Sequence, residues 1–216
     1  MVKDIPFFTT DYGVASLILG EIPYRQEAYI RIQDAQPGHM AELVEECVAF
    51  CRAAGADRVY WSAEAAEGEL HTSVFEMRGV AWVDKGLLES LFPVTESTVA
   101  RWRQIYNERM KNVDNAATMT AVDEKKIAES GGAYFVHHEG ELLGIGWLED
   151  TKLLAMAAVQ RGAGQRVMHT LMSLVEGADM TLEVASTNHR AIALYEKLGF
   201  VKTKEIRRWY RGFEEG

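Results

Sequence analysis

The stretch from Lys152 to Phe200 constrains the fold most. An apolar run of strand length, Lys152–Val159, leads into a turn with two glycines, Arg161-Gly162-Ala163-Gly164. From Gly164 to Val175, the residues Val167, Met168, Leu171, Met172 and Val175 fall on one helical face. Met180–Ala185 reads as another strand, and Asn188–Leu198 as another helix that stops at Gly199, a C′ position. Elements that switch period in this order must lay helices against a sheet, so an α/β fold is predicted.

The rest of the second half continues the alternation. Glu96–Val113 carries Val99, Trp102, Ile105, Tyr106, Arg109 and Met110 at helical spacing, and a shorter helix is predicted around Asp123–Glu129. Ala133–His138 and Glu141–Glu149 read as strands joined at Glu139-Gly140, and Phe200–Tyr210 supplies the closing strand or strands. In the first half, Pro37–Ala54 has Met40, Leu43, Val44, Cys47, Val48 and Cys51 in helical register, with Pro37 in the first turn. Two short matches then link the halves. Gly55-Ala56-Asp57 with Val59-Tyr60-Trp61 parallels Gly177-Ala178-Asp179 with Thr181-Leu182-Glu183, at an offset of 122. Ser73–Val80 parallels Ala193–Phe200 at an offset of 120. The steadiness of the offset suggests an internal repeat. Trp61 and Phe75 stand where the second half has Glu183 and Tyr195, so the first copy is read as degenerate, with a boundary near residues 86–90.

Composition narrows the function. Residues 1–88 carry 7 Lys+Arg against 14 Asp+Glu, and residues 89–216 carry 16 against 18, giving a net charge of -9. This acidity argues against non-specific nucleic-acid binding, and it fits either a cationic substrate or simply a soluble, charged surface. The chain has no run of about 18 apolar residues, which argues against a membrane partner. Met1–Pro6 lacks the basic-then-apolar layout of a signal peptide, and a cytoplasmic protein is expected. Cys47 and Cys51 share a helical face as small core residues. With no other Cys, and with His137 and His138 on opposite faces of a strand, no metal site is expected.

The glycine loop carries the first chemistry. A helix start presents unpaired N–H groups, and Gly162 and Gly164 lack the Cβ atoms that would keep a phosphate away. Arg161 and Arg166 add charge. Alone, the loop suits several nucleotides or merely turns the chain. It is not a P-loop, because no Gly-Lys-Ser/Thr comes after it, and it lacks the third glycine of a dinucleotide-binding loop. Asn188 and Tyr195 lie about two helical turns apart and share a face. Tyr195 reads either as a core residue or as a proton donor, and Glu183 either as a surface ion pair or as a base.

Arg161-Gly162-Ala163-Gly164 followed by Asn188 and Leu194-Tyr195-Glu196-Lys197-Leu198-Gly199-Phe200 resembles the two cofactor-binding motifs of the GNAT acetyltransferase superfamily. Leu182-Glu183-Val184 and Arg207-Arg208-Trp209-Tyr210 are similar to the ribosomal-protein N-terminal alanine acetyltransferases. The resemblance implies a mixed central sheet flanked by helices, and acetyl-CoA as the donor. It implies that Ala157, Ala158 and Val159 pair with the pantetheine arm. Arg161, Gly162, Ala163, Gly164, Gln165 and Arg166 would hold the pyrophosphate, and Asn188 would contact the cofactor. It further implies Tyr195 as general acid and Glu183 as general base, with Glu149 or Asp150 as alternatives for the base. Two positions depart from the pattern: Val159 stands where Gln or Arg is usual, and Ala185 where Arg follows Leu-Glu-Val.

The expected organisation is therefore a degenerate N-terminal half-GNAT-like unit over residues 1–88 and a GNAT acetyltransferase domain over 89–216. The expected activity is acetyl transfer from acetyl-CoA to the primary amine of a small molecule or peptide, by direct attack in a ternary complex. A non-catalytic acyl-CoA-binding or sensing protein is the alternative. A homodimer is common in the superfamily.

Overall fold

The computed structural model describes residues 3–64 and 68–212, so Met1 and Val2 of the N-terminal stretch and residues 213–216 lie outside the described residues. The elements run β1 (Ile5–Thr10), β2 (Gly13–Ile18), α1 (Ile22–Arg25), β3 (Glu27–Ala35), α2 (Met40–Ala53), β4 (Arg58–Ser62) and β5 (Leu70–Val80). They continue with β6 (Ser90–Pro93), α3 (Val99–Met110), α4 (Ala121–Glu129), β7 (Ala133–His138), β8 (Glu141–Glu149) and β9 (Lys152–Ala158). The last are α5 (Gly164–Met172), β10 (Asp179–Ala185), α6 (His189–Lys197) and β11 (Val201–Arg211).

The chain divides into two units, one of residues 1–73 with 207–216 and one of residues 74–206. The sequence-derived boundary at residues 86–90 falls inside the second unit. The reason is β5, whose residues 74–80 pair with β10 through seven antiparallel positions, Val80–Asp179 to Val74–Ala185. No turn signal at Lys85-Gly86 reveals that most of the strand before it already belongs to the second unit. The last residues of the chain go the other way: Tyr210 and Arg211 pair with Trp61 and Tyr60 of β4.

In the first unit, β1, β2 and β3 form an antiparallel meander and β4 lies parallel to β3. The helix α2 covers one face and buries Leu43, Val44, Cys47, Val48 and Cys51 against Leu17, Ile30 and Trp61. The helix begins at Met40 rather than Pro37 because Pro37-Gly38 form a turn ahead of it. Both cysteines are core residues, and burial pushes each thiol up to about 12.

In the second unit the strand order is β5-β10-β9-β8-β7-β6. The helices α5 and α6 pack with Met77, Leu143, Met180, Leu182 and Phe200, while α3 and α4 pack against Phe135, Ile145 and Trp147. The α5 contact is close: a Cβ on Gly146 would lie 2.3 Å from Leu171 Cδ1. At the start of α6, Asn188 accepts a hydrogen bond from the Ala191 N–H at 3.2 Å. At its end, Gly199 has a φ of 87° and Phe200 N–H reaches back to Tyr195 O at 3.0 Å. That closure needs a left-handed residue, which glycine supplies without strain. The apolar face of α6 buries Ile192, Tyr195 and Leu198, at roughly 1.5–3 kcal/mol for each large side chain.

The two halves share more than their short sequence matches. Each has an antiparallel pair, then a helix, a left-handed glycine and a parallel strand: β2, β3, α2, Gly55 (φ 101°) and β4 against β8, β9, α5, Gly177 (φ 83°) and β10. The second match fails as structure, since Ser73–Val80 is strand and Ala193–Lys197 is helix. The shared Phe/Tyr-Glu sequence fits both periods, and cross-strand pairing with β10 decides for strand at residues 74–80.

Candidate active site

The parallel strands β9 and β10 pair at only two positions, Lys152–Thr181 and Leu153–Leu182. Beyond Leu153 they diverge, while β9 stays paired to β8 as far as Ala158–Gly144. A register shift between Trp147 and Leu148 accompanies the divergence. The backbone of residues 154–158 thus has one edge in the sheet and one facing the gap. The gap is a cleft of about 230 Å³. Its walls are Leu153–Met156 of β9 and Leu182–Ala185 of β10, with Asn188, Ala191 and Tyr195 of the α6 segment. Tyr106 and Met110 of α3, the loop after it, Val113–Ala117, and Val74 of β5 complete it.

Tyr195, Asn188 and Glu183 therefore meet in one place. Tyr195 is 8% exposed, and burial pushes its phenol up to about 12, so it is a neutral donor throughout the physiological range. The carbonyl of Asn188 is engaged in capping α6, which fixes that side chain at the cleft. Glu183 is exposed on β10 and accepts from Lys152 Nζ at 2.6 Å, with both side chains 45% exposed. Glu149 and Asp150, the alternative carboxylates, do not join them. They form the turn at the start of β9 and line a separate concavity with Gly131, Tyr134 and Leu174, whereas the cleft opens toward the other end of that strand.

The glycine loop sits at that other end, outside the cleft walls. Val159 and Gln160 both donate to Leu143 O, at 2.7 and 3.4 Å, and Ala163 N–H returns to Gln160 O at 3.3 Å. Gly162 has a φ of 86° and open space where a side chain would point. Among the described residues, no side chain caps the start of α5 at Ala163, so the N–H groups of its first turn lack a side-chain acceptor there. A Cβ on Gly164 would lie 3.3 Å from Leu194 of α6, so the loop and the helix bearing Tyr195 are neighbours. Ala157 is buried and Ala158 half-buried. Gln165 accepts from Lys197 Nζ at 3.0 Å, and Arg161 is exposed. Arg166 is held by the buried carboxylate of Glu89 at 2.7 Å, which also accepts from His138 Nδ1 at 2.8 Å.

Asp114 is a charged cleft residue that sequence reasoning missed. It lies just after α3, lines the cleft, and accepts from Thr187 Oγ1 at 2.7 Å. Asn107 ties the far end of the same loop, donating to Met119 O at 2.8 Å and accepting from Met119 N–H at 2.9 Å. Asp114-Asn115 is legible as a turn signal, but only the fold places that turn over β10. Asp114 and Glu183 are the charged residues of the lining, and both are acidic. Among the described residues, no group of three or more His, Cys, Asp or Glu is placed to hold a metal ion. No helix among them is long and apolar enough to cross a membrane.

The sequence profile of the acetyltransferase (GNAT) family matches residues 92–200. The N-alpha-acetyltransferase RimI of Mycobacterium tuberculosis is 39% identical over 51 residues, which cover 24% of this chain and 32% of that protein. The match thus spans about a third of the curated relative. Among solved structures, a GCN5-related N-acetyltransferase from Anabaena variabilis aligns with a TM-score of 0.60 at 10% identity, over 92% of this chain and 59% of that one. A GNAT-family acetyltransferase from Colwellia psychrerythraea aligns with a TM-score of 0.51 at 12% identity, over 96% and 84%. At these identities the structural likeness speaks for the fold alone.

Proposed function

The chain belongs to the acetyltransferase (GNAT) family, and from that premise we propose that it transfers an acetyl group from acetyl-CoA to a primary amine by direct attack in a ternary complex. The observation that carries the reading is the gap between β9 and β10, with Tyr195 and Asn188 on its wall and the uncapped start of α5 at its end. A gap with one free strand edge fits an extended arm that adds to β9 like a further strand. An uncapped helix start behind glycines fits a pyrophosphate.

Acetyl-CoA supplies the thioester carbon: the amine nitrogen bonds to it and the carbon–sulfur bond breaks. Tyr195 gives its phenolic proton to the departing sulfur, a task suited to a phenol that burial keeps protonated. Glu183 takes the proton of the amine, with Asp114 as the second carboxylate of the cleft. A lysine-like amine, near 10.4 in water, needs such a base more than an α-amine near 7.7–8.0 does. The remaining contribution is positioning, worth up to about 7–11 kcal/mol for well-oriented reactants. Two acidic side chains in the lining favour an acceptor of positive charge, whether a small molecule or a peptide.

The first unit is read as the degenerate copy. Its parallel strands β3 and β4 stay paired at five positions, Glu27–Arg58 to Arg31–Ser62, so it offers no gap like that between β9 and β10. The engagement of Glu183 by Lys152 favours a second reading, a non-catalytic acyl-CoA-binding or sensing protein.

A thermal melt with acetyl-CoA, ATP and NAD separates the classes. A ligand at a hundred times its Kd adds about 2.7 kcal/mol, which for a chain of this size raises Tm by roughly 5–10 °C. A shift with acetyl-CoA alone, followed by acetyl transfer in a panel of primary amines, is the expected result. A shift without transfer would favour the sensing protein, and no shift would remove acetyl-CoA as ligand.

A further inference from the structure

We infer that Arg109, on the last turn of α3, is a cofactor-binding residue that supplies a positive charge to the phosphates from outside the glycine loop. The inference rests on acetyl-CoA being the donor. Its starting point is a shortage of charge at the end of β9. Ala157-Ala158-Val159-Gln160 brings no cation to the approach to the loop. Within the loop and the first turn of α5 there are two arginines, and one of them is engaged elsewhere: Arg166 Nη1 donates to Glu89 at 2.7 Å, and that carboxylate is only 6% exposed. An arginine held by a buried carboxylate carries little net charge toward a ligand. Arg161 is then the loop's own cation for a pyrophosphate.

Arg109 fills the shortage from another element. Its Nη2 donates to the carbonyl of Val159 at 2.8 Å. Val159 is the residue at which the strand leaves the sheet, and its N–H is fixed to Leu143 O at 2.7 Å. The guanidinium is thereby tethered where the free edge of β9 meets the loop. A guanidinium has five N–H donors in a planar fork, so a bond to one carbonyl leaves donors for a second acceptor, and an anion is its strongest partner. Arg109 is exposed, so its charge is available at the surface that a phosphate would approach. Two neighbours on α3, Tyr106 and Met110, already line the cleft, so this end of the helix borders the proposed donor site. A purely structural role would need only the bond to Val159 O, which a neutral donor makes equally well.

The test uses the full chain. Binding of acetyl-CoA and of S-acetylpantetheine, which lacks the phosphates, is titrated by calorimetry for the native protein, Arg109→Gln and Arg109→Lys. Arg101→Gln, an exposed change elsewhere on α3, serves as the control. Loss of one charge-assisted contact should weaken acetyl-CoA about ten- to a hundred-fold in Arg109→Gln. The lysine variant should keep part of the affinity, and S-acetylpantetheine and the melting temperature without ligand should stay unchanged. The salt dependence of acetyl-CoA binding should also become shallower in Arg109→Gln. Equal losses for both ligands would overturn the inference, leaving Arg109 as a prop for β9. Unchanged acetyl-CoA binding in both variants would overturn it as well. Failure of the native protein itself to bind acetyl-CoA would instead defeat the donor assignment, and is told apart by that first titration.

Discussion

In the proposed mechanism Tyr195 is the general acid, and its environment sets a sharp expectation. Burial of the ring between α6 and the core pushes its phenol up to about 12, so the proposed acid is protonated throughout the physiological range. Tyr195→Phe should lower kcat by roughly a hundredfold or more, the usual size of general-acid catalysis, and leave acetyl-CoA affinity unchanged. The sign of the pH dependence comes from the same shift. A phenol whose folded value lies above its ordinary 10.0 stays protonated up to its folded value, so the loss of acid begins only as the pH approaches about 12. kcat should therefore not fall between pH 8 and about 9.5. A fall with an apparent midpoint near 8, measured at saturating donor and acceptor, would remove Tyr195 as the acid. The same raised value means the folded state gives up its proton less readily than the unfolded one, so this residue's share of stability is intact below pH 10 and lost above it. Of the cleft residues, Tyr195, Asn188 and Glu183 are legible in the sequence because a helical period and a strand period place them. Asp114 is not, because its position depends on where a loop crosses, and no local period encodes that.

At the scale of elements, sequence patterning locates strands better than helix ends. β7 and β8 fall where alternation and the Glu139-Gly140 turn place them. α3 starts at Val99 instead of Glu96 because hydroxyl groups hold the preceding turn: Thr95 N–H donates to Thr98 Oγ1 at 2.9 Å, and Thr95 Oγ1 lies 2.9 Å from Ser97 Oγ. The expected helix Gly164–Val175 ends as α5 at Met172 and tightens into a 3-10 turn over Ser173–Val175. The divergence of β9 from β10 is outside the reach of sequence, since both strands have the residues to pair along their whole length. The glycine loop gives this scale its prediction. Gly164 begins α5 with Leu194 of α6 only 3.3 Å from where a side chain would start. Gly164→Glu adds both bulk at that contact and a negative charge at the helix start. Acetyl-CoA binding should fall below detection by calorimetry, with far-ultraviolet circular dichroism retained. Retained affinity would place the phosphates away from this turn.

For the whole molecule, the sequence matches between the halves suggest a repeated plan with an edge near residues 86–90, whereas the compact units divide at 73/74 and 206/207. Periodicity finds elements one at a time, whereas a domain edge depends on which strands pair, and two strands here change allegiance along their length. Residues 70–73 of β5 belong to the first unit and 74–80 to the second, while β11 passes from the second unit to the first at Arg207. The consequence is testable with two fragments. Residues 89–216 keep every motif of the resemblance but omit β5, and with it the seven antiparallel positions that close one side of β10 and the buried Met77 of the core. They also carry Trp209 and Tyr210, which are 1% and 6% exposed in the native chain, without the partners of the first unit. Exposing a large buried aromatic costs several kcal/mol, a sizeable fraction of the roughly 5–15 kcal/mol that keeps a domain folded. Residues 74–206 retain β5 and shed those aromatics. Residues 74–206 should melt cooperatively and residues 89–216 should not, as read by calorimetry on the two purified fragments. Cooperative melting of residues 89–216 would show that the pairing of β5 with β10 is dispensable and that the boundary lies near Lys85-Gly86, where the sequence repeat puts it.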